Sequence, residues 1–137
     1  MAYNLSVVTP SGVLDPVDIS LLHVRSGNGD LTILPNHFPL VTNVTPSICY
    51  FDSTTKGRVY AFVGEGILQV QEKSVKLIVA SFNLKDDIDI DRARKALDRA
   101  NAYLSEASTN PNIDVERAKK ALIRAEARIA LWEGKVK

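Results

Sequence analysis

The chain has 137 residues, 45% hydrophobic and 24% charged, the proportions of one soluble globular domain or of one domain with an appendage. Its single cysteine, Cys49, excludes an internal disulfide and fits a reducing compartment, and no apolar run approaches the roughly 20 residues that span a bilayer. The net charge of +1 divides unevenly: residues 1–90 carry 6 Lys+Arg against 9 Asp+Glu, or −3, and residues 91–137 carry 11 against 7, or +4. The opening Met1 to Ser6 lacks the basic and apolar segments of a secretory signal and the arginines of a transit peptide. The chain is therefore expected to be soluble where it is made and to meet a membrane only through a partner.

From Leu5 to Ala80 the hydrophobic pattern is short and alternates with a period of two. Val17, Ile19 and Leu21 point one way, with His23 next in the series, and then the phase shifts. Residues 58–63 and 74–80 are rich in β-branched and aromatic side chains and predict strands. Turn signals separate the strands at Thr9-Pro10-Ser11-Gly12, Ser26-Gly27-Asn28-Gly29-Asp30, Pro35-Asn36 and Ser53 to Gly57. Gly64-Glu65-Gly66 predicts a tight turn or bulge, since glycine tolerates positive φ. Many short strands at this spacing predict a β-sandwich or barrel.

Alternation stops at Asn83-Leu84-Lys85-Asp86-Asp87, and from Ile90 the period is helical. Ala93, Ala96, Leu97, Ala100, Leu104 and Ala107 form one face. Ser108-Thr109-Asn110-Pro111-Asn112 breaks that helix, and a second follows with Ala118, Ala121, Leu122, Ala125, Ile129 and Trp132 on its apolar face, Trp132 being expected to pack inward. The segment Ile88-Asp89-Ile90-Asp91-Arg92-Ala93-Arg94-Lys95-Ala96-Leu97 recurs 25 positions later as Ile113-Asp114-Val115-Glu116-Arg117-Ala118-Lys119-Lys120-Ala121-Leu122, identical at seven of ten positions. Asp89 and Asp114 each stand where a helix cap accepts from the first-turn amides. A linker this short turns the helices antiparallel. The predicted fold is thus α+β: a sandwich of many short strands over residues 1–84, then an antiparallel two-helix hairpin over residues 85–137. An alanine seam allows close helix approach but buries little area per residue, so the hairpin is expected to be weakly held.

The order of parts resembles the epsilon subunit of bacterial and plastid F-type ATP synthase. Ser6-Val7-Val8-Thr9-Pro10-Ser11-Gly12 is similar to the family's first strand and turn. Gly29-Asp30-Leu31-Thr32-Ile33-Leu34-Pro35-Asn36-His37-Phe38-Pro39-Leu40-Val41 resembles its most recognisable loop, and Val63-Gly64-Glu65-Gly66-Ile67-Leu68-Gln69-Val70 its glycine turn and following strand. Thr32 and Asn36 replace residues that are often glycine in the family, which implies a tighter or differently angled loop. Ser81-Phe82-Asn83-Leu84 replaces a stretch that usually carries alanine, an acidic residue and arginine.

The resemblance implies a non-catalytic rotor component on the cytoplasmic side of the bacterial plasma membrane. Its sandwich would hold the gamma subunit and rest on the c-ring, with Asp30 and His37 as polar contacts. Its hairpin would fold on the sandwich in one state and, in another, extend along gamma toward the alpha and beta subunits, where basic residues stop ATP hydrolysis. It also implies ATP as a regulatory ligand, with no cofactor required, held by Ile88, Asp89, Arg92 and Ala93 of the first motif and by Arg124 and Arg128 of the second helix. Arginine forks suit phosphate oxygens, and an aspartate can accept from ribose or base. No phosphate-binding loop with its lysine, no metal-ligand spacing and no nucleophile signature is present, so neither a metal site nor catalysis is expected. Two other readings compete: a stand-alone sandwich module with a helical dimerisation tail, and a nucleic-acid binder using the basic helices. The seven acids and the missing interleaved aromatics weigh against nucleic acid.

Overall fold

A computed structural model describes residues 2–135; Met1, and Val136 and Lys137 of the expected hairpin region, lie outside the described residues. Ten strands come first: β1 (Tyr3–Thr9), β2 (Gly12–Val13), β3 (Val17–Ser26), β4 (Gly29–Ile33), β5 (Leu40–Val44), β6 (Ser47–Ser53), β7 (Gly57–Val63), β8 (Gly66–Val70), β9 (Ser74–Val79) and β10 (Phe82–Leu84). A 3-10 turn at Lys85–Asp87 leads to α1 (Ile90–Glu106), and α2 (Val115–Glu133) is the last element of the described residues.

The strands pair in the order β10-β7-β6-β3-β1-β9-β8-β5, with β4 beside β3 and β2 beside β1. Most pairs are antiparallel; β1 and β9 run parallel. The path folds into two layers, the first holding β10, β7 and β6 and the second β1, β9, β8 and β5, because β3 belongs to both. Its first residues pair with β1 (Ile19 with Tyr3, Val17 with Leu5), and its last five pair with β4. Between them the β3–β6 register slips at Ile19/Leu21, a bulge that bends the strand around the corner. The inward residues of both layers meet in one core, among them Leu5, Ile19, Leu22, Val24, Leu68, Val75 and Leu77. Cys49 is fully enclosed in it, and burial pushes its thiol pKa up to about 12, so it behaves as a small apolar side chain.

The structure corrects the sequence expectations at four points. The bulge inserts a residue, so Ile19 is followed inward by Leu22 and Val24, while Leu21 and His23 turn to the outer face. Gly64 and Gly66 do not take positive φ. Close approach requires them: a Cβ at Gly66 would collide with the Ile78 carbonyl, and one at Gly64 would lie 2.6 Å from Ser81 Oγ. Asn36 does take positive φ, at 62°, so an asparagine serves where the resemblance led to glycine. Trp132 does not pack inward; it is 38% exposed, with the Arg94 guanidinium 5.5 Å above its ring, and Leu131 is the buried residue of that turn.

The helices are capped alike. Asp89 Oδ1 accepts from the Arg92 amide and Asp114 Oδ1 from the Arg117 amide, each at 3.1 Å, and Gly134 ends α2 in the left-handed region. Ala93 and Ala100 of α1 and Ala118 and Ala125 of α2 are buried along the seam. The pair rests on the first layer through α2, which packs on β6 and β7.

Candidate functional site

A cleft of about 800 Å³ opens between the two helices and the end of β10. Its floor is the alanine seam, whose missing side-chain volume leaves a slot. Ile88, Asp89, Arg92, Ala93, Arg124 and Arg128 all line it, so the structure brings together both halves of the expected nucleotide set. It also adds residues the sequence reading did not single out: Lys95, Arg99 and Tyr103 on α1, and Asn83 at the strand end. Helical spacing carries the signal for three of them, because Arg92, Lys95, Arg99 and Tyr103 stand at i, i+3, i+7 and i+11 on one stripe. Asn83 has no local signal, since a distant residue defines its role.

The cleft is lined by charges of both signs. Asp87, Asp89 and Asp91 supply the acids, and Asp87 is occupied, its carboxylate accepting from the Leu84 amide at 3.0 Å. Arg92, Arg124 and Arg128 are among the bases. Arg128 is half-buried, and its pKa is lowered first by desolvation and then by the charges of Arg124 and Arg92. Three guanidinium groups thus share the cleft, and among the described residues the hydrogen-bond acceptors of Arg128 are neutral: its Nε donates to Asn83 Oδ1 at 3.2 Å and its Nη2 to Ser81 Oγ at 3.3 Å. Such a site favours an anion, which would relieve the mutual repulsion. The second motif has no counterpart to this. Asp114 and Arg117 meet in the cap, but neither lines the cleft. Among the described residues there is no group of three or more His, Cys, Asp or Glu that could hold a metal ion.

The loop residues expected at a protein contact behave differently from each other. Asp30 is half exposed and accepts from Arg25 Nε at 3.1 Å. His37 turns inward instead: its ring stands edge-on to Tyr3 at 5.0 Å, and both ring nitrogens are buried without a hydrogen-bond partner among the described residues. Its neighbour Phe38 points outward and is 90% exposed. His23 stacks flat on Tyr50 at 4.8 Å and meets Thr32 through Nδ1, so it is an element of the outer sheet face.

One further surface stands out. On the outer face of the second layer the register aligns Asn43 with Ile67, Ile67 with Ile78, Ile78 with Val8, and Val8 with Val13. Of these Val13, Ile67 and Ile78 are 68%, 47% and 40% exposed, and Val41 beside them is 66% exposed. The matching face of the first layer is partly covered by α2. An apolar row of this kind on a solvated sheet marks an interaction surface.

Comparison with known proteins gives a consistent result. Residues 2–85 match the family model of the ATP synthase delta/epsilon chain β-sandwich domain, and residues 86–133 that of the delta/epsilon chain long α-helix domain. Among curated relatives, the ATP synthase epsilon chain of Halalkalibacterium halodurans is 34% identical over 104 residues, covering 76% of this chain and 77% of its own length. That of Desulforudis audaxviator is 36% identical over 102 residues, covering 74% of each. Among solved structures, a chain of the Euglena gracilis mitochondrial ATP synthase OSCP/F1/c-ring assembly superposes with a TM-score of 0.78 at 17% identity, over 99% of this chain and 82% of that one. A chain of the Tetrahymena thermophila mitochondrial ATP synthase central stalk/c-ring gives 0.59 at 13% identity, over 98% and 96%. At these identities the structural matches speak to the fold.

Proposed function

This chain belongs to the ATP synthase delta/epsilon chain family, among the epsilon chains, and from that premise we propose that it is a non-catalytic subunit of the central stalk that binds gamma and the c-ring. The observation that carries the reading is the bare apolar row on the second layer. Val13, Val41, Ile67 and Ile78 are held on rigid strands, and their exposure is a cost that a permanent partner removes. The gamma subunit is the partner we assign to that face. Asp30 on β4 and the loop of Phe38 are assigned to the c-ring, with Phe38 rather than His37 as the outward contact. Among the described residues no helix is long and apolar enough to cross a membrane; the location we assign, at the cytoplasmic side of the bacterial plasma membrane, rests on those partners.

The hairpin is the regulatory part. Its net positive charge suits the acidic segments of the alpha and beta subunits in an extended state, where it restrains hydrolysis. ATP favours the folded state by occupying the cleft: Arg92, Arg124 and Arg128 meet the phosphates, while Ile88, Asp89 and Ala93 frame the remainder. Because residues of both helices and the sandwich end line one cleft, a bound ligand joins all three by mass action.

Co-purification with cognate gamma at micromolar concentration tests the main reading. Wild type is expected to bind and the Ile67→Glu/Ile78→Glu variant to lose binding by about a hundredfold or more, as for central apolar contacts. Retention of full affinity by that variant removes the assigned face, and failure of the wild type removes the reading.

A further inference from the structure

Phe62 contradicts its own position in the sheet. It lies on the outer face of β7, between Ile48 of β6 and Asn83 of β10 in register, and it takes no part in the core cluster between the layers. Nevertheless it is 0% exposed. The hairpin buries it: the Arg128 guanidinium lies 4.3 Å above the ring, and the same guanidinium donates to Asn83 Oδ1 and Ser81 Oγ. One α2 side chain therefore makes three contacts with the sandwich, one to each of three residues that lie far from it in sequence. Gly64 makes this possible. Its amide donates to the Ser81 carbonyl at 2.8 Å, and any side chain there would push into Ser81 Oγ, the acceptor that Arg128 uses.

We propose that Phe62, Ser81 and Asn83 form a latch for Arg128, and that this latch sets how often the hairpin leaves the sandwich. Both polar acceptors are neutral, so the latch holds by stacking and by dipoles rather than by a salt bridge. A half-buried arginine without a carboxylate is held more weakly than an ion pair would hold it. Releasing it uncovers the whole Phe62 ring, while closing it costs Arg128 part of its hydration. Opposed terms of this kind keep the two states close in energy, which a reversible contact requires. The proposal rests on the hairpin being able to move, but not on what it meets after it has moved.

Amide hydrogen exchange of the full chain in isolation tests the latch. An undocked hairpin retains only its alanine seam, so α2 amides exchange through the open state. Phe62→Ala is expected to speed exchange across residues 115–133 by about tenfold or more, with the amides of β1, β8 and β9 unchanged. Asn83→Asp, of nearly the same size, gives Arg128 a charged acceptor and is expected to slow α2 exchange by about tenfold. If Phe62→Ala unfolds the sandwich, the Asn83→Asp result decides alone. Exchange of α2 within about twofold of wild type in Asn83→Asp, with the sandwich folded, overturns the latch. Loss of gamma binding is a separate observation and leaves this test unaffected.

Discussion

The sandwich and the hairpin are built on opposite economies of contact. In the sandwich, large side chains such as Leu5, Leu22, Leu68 and Leu77 are fully enclosed between two hydrogen-bonded layers, each worth about 1.5–3 kcal/mol in apolar burial. In the hairpin the buried seam is Ala93, Ala100, Ala118 and Ala125, with Leu131 at the end. A buried methyl contributes only about 0.8 kcal/mol. Capping, helix propensity and one face of α2 supply the rest. The same chain therefore holds a body that persists and an attachment that can be moved. The empty volume that weakens the attachment is also what makes the cleft. Small residues along a helix pair lower the cost of separation and leave room in the cleft for the ligand proposed to oppose it.

Core truncation should break the comparison most strongly. Leu68→Ala is expected to cost the sandwich about 2–5 kcal/mol in chemical denaturation, and to take the hairpin down with it, because α2 has nothing else on which to rest. The reverse experiment is asymmetric. Ala125→Leu forces the helices apart at a cost of about 1–3 kcal/mol, and circular dichroism should show helix lost at a lower temperature while the sandwich transition stays in place. Coincident loss of both would mean that the two parts are one cooperative unit.

The caps sharpen the contrast inside the hairpin. Asp89→Ala and Asp114→Ala should each cost about 1 kcal/mol of helix stability, since their hydrogen bonds have equal length. ATP titration should separate them, because only Asp89 lines the cleft: its variant is expected to bind more weakly, and the Asp114 variant to bind as wild type. Equal weakening would mean that helix order, rather than the site, governs binding.

The smallest effect belongs to the outer sheet face. Arg58 holds the Asp52 carboxylate through bonds of 2.8 and 3.1 Å and keeps its pKa below the usual range, chiefly by hydrogen bonding. A lowered folded-state pKa means that the contribution is complete above the unfolded value of about 3.9. It is lost as pH falls through the folded value. The stability difference between wild type and Asp52→Asn should therefore be constant near neutrality and shrink only in acid. A difference that grows on acidification would reverse the assignment.

Much of the architecture was legible because it is local. Period-two runs marked the strands, the change to helical spacing after Asp87 marked the hairpin, and the doubled aspartate motif marked both helix starts. The misreadings came from tertiary events. A bulge at Ile19/Leu21 shifts the phase of β3 by one residue, which no propensity records. The burial of Phe62 has no local signal either: it alternates with Ala61 and Val63 like an outward residue, and a helix from later in the chain covers it. Leu131 and Trp132 are consecutive and so point about 100° apart around the helix, and only the direction from which the sandwich approaches decides which of them is covered. The site was half legible for the same reason. Arg92 and its stripe repeat along one helix, whereas Arg128 meets Asn83 and Ser81 across 45 and 47 residues of sequence.

The central claim is that the sandwich stays fixed while the hairpin changes place. The most direct test is the distance between a spin label on Lys73 in the sandwich and one on Ala102 in α1, measured in the reconstituted complex with and without ATP. Cys49 is enclosed and its thiol is unreactive, so it can remain in place. The account expects two distance populations, the shorter one matching the isolated chain and growing as ATP is added. A single distance equal to that of the isolated chain in every state would contradict it.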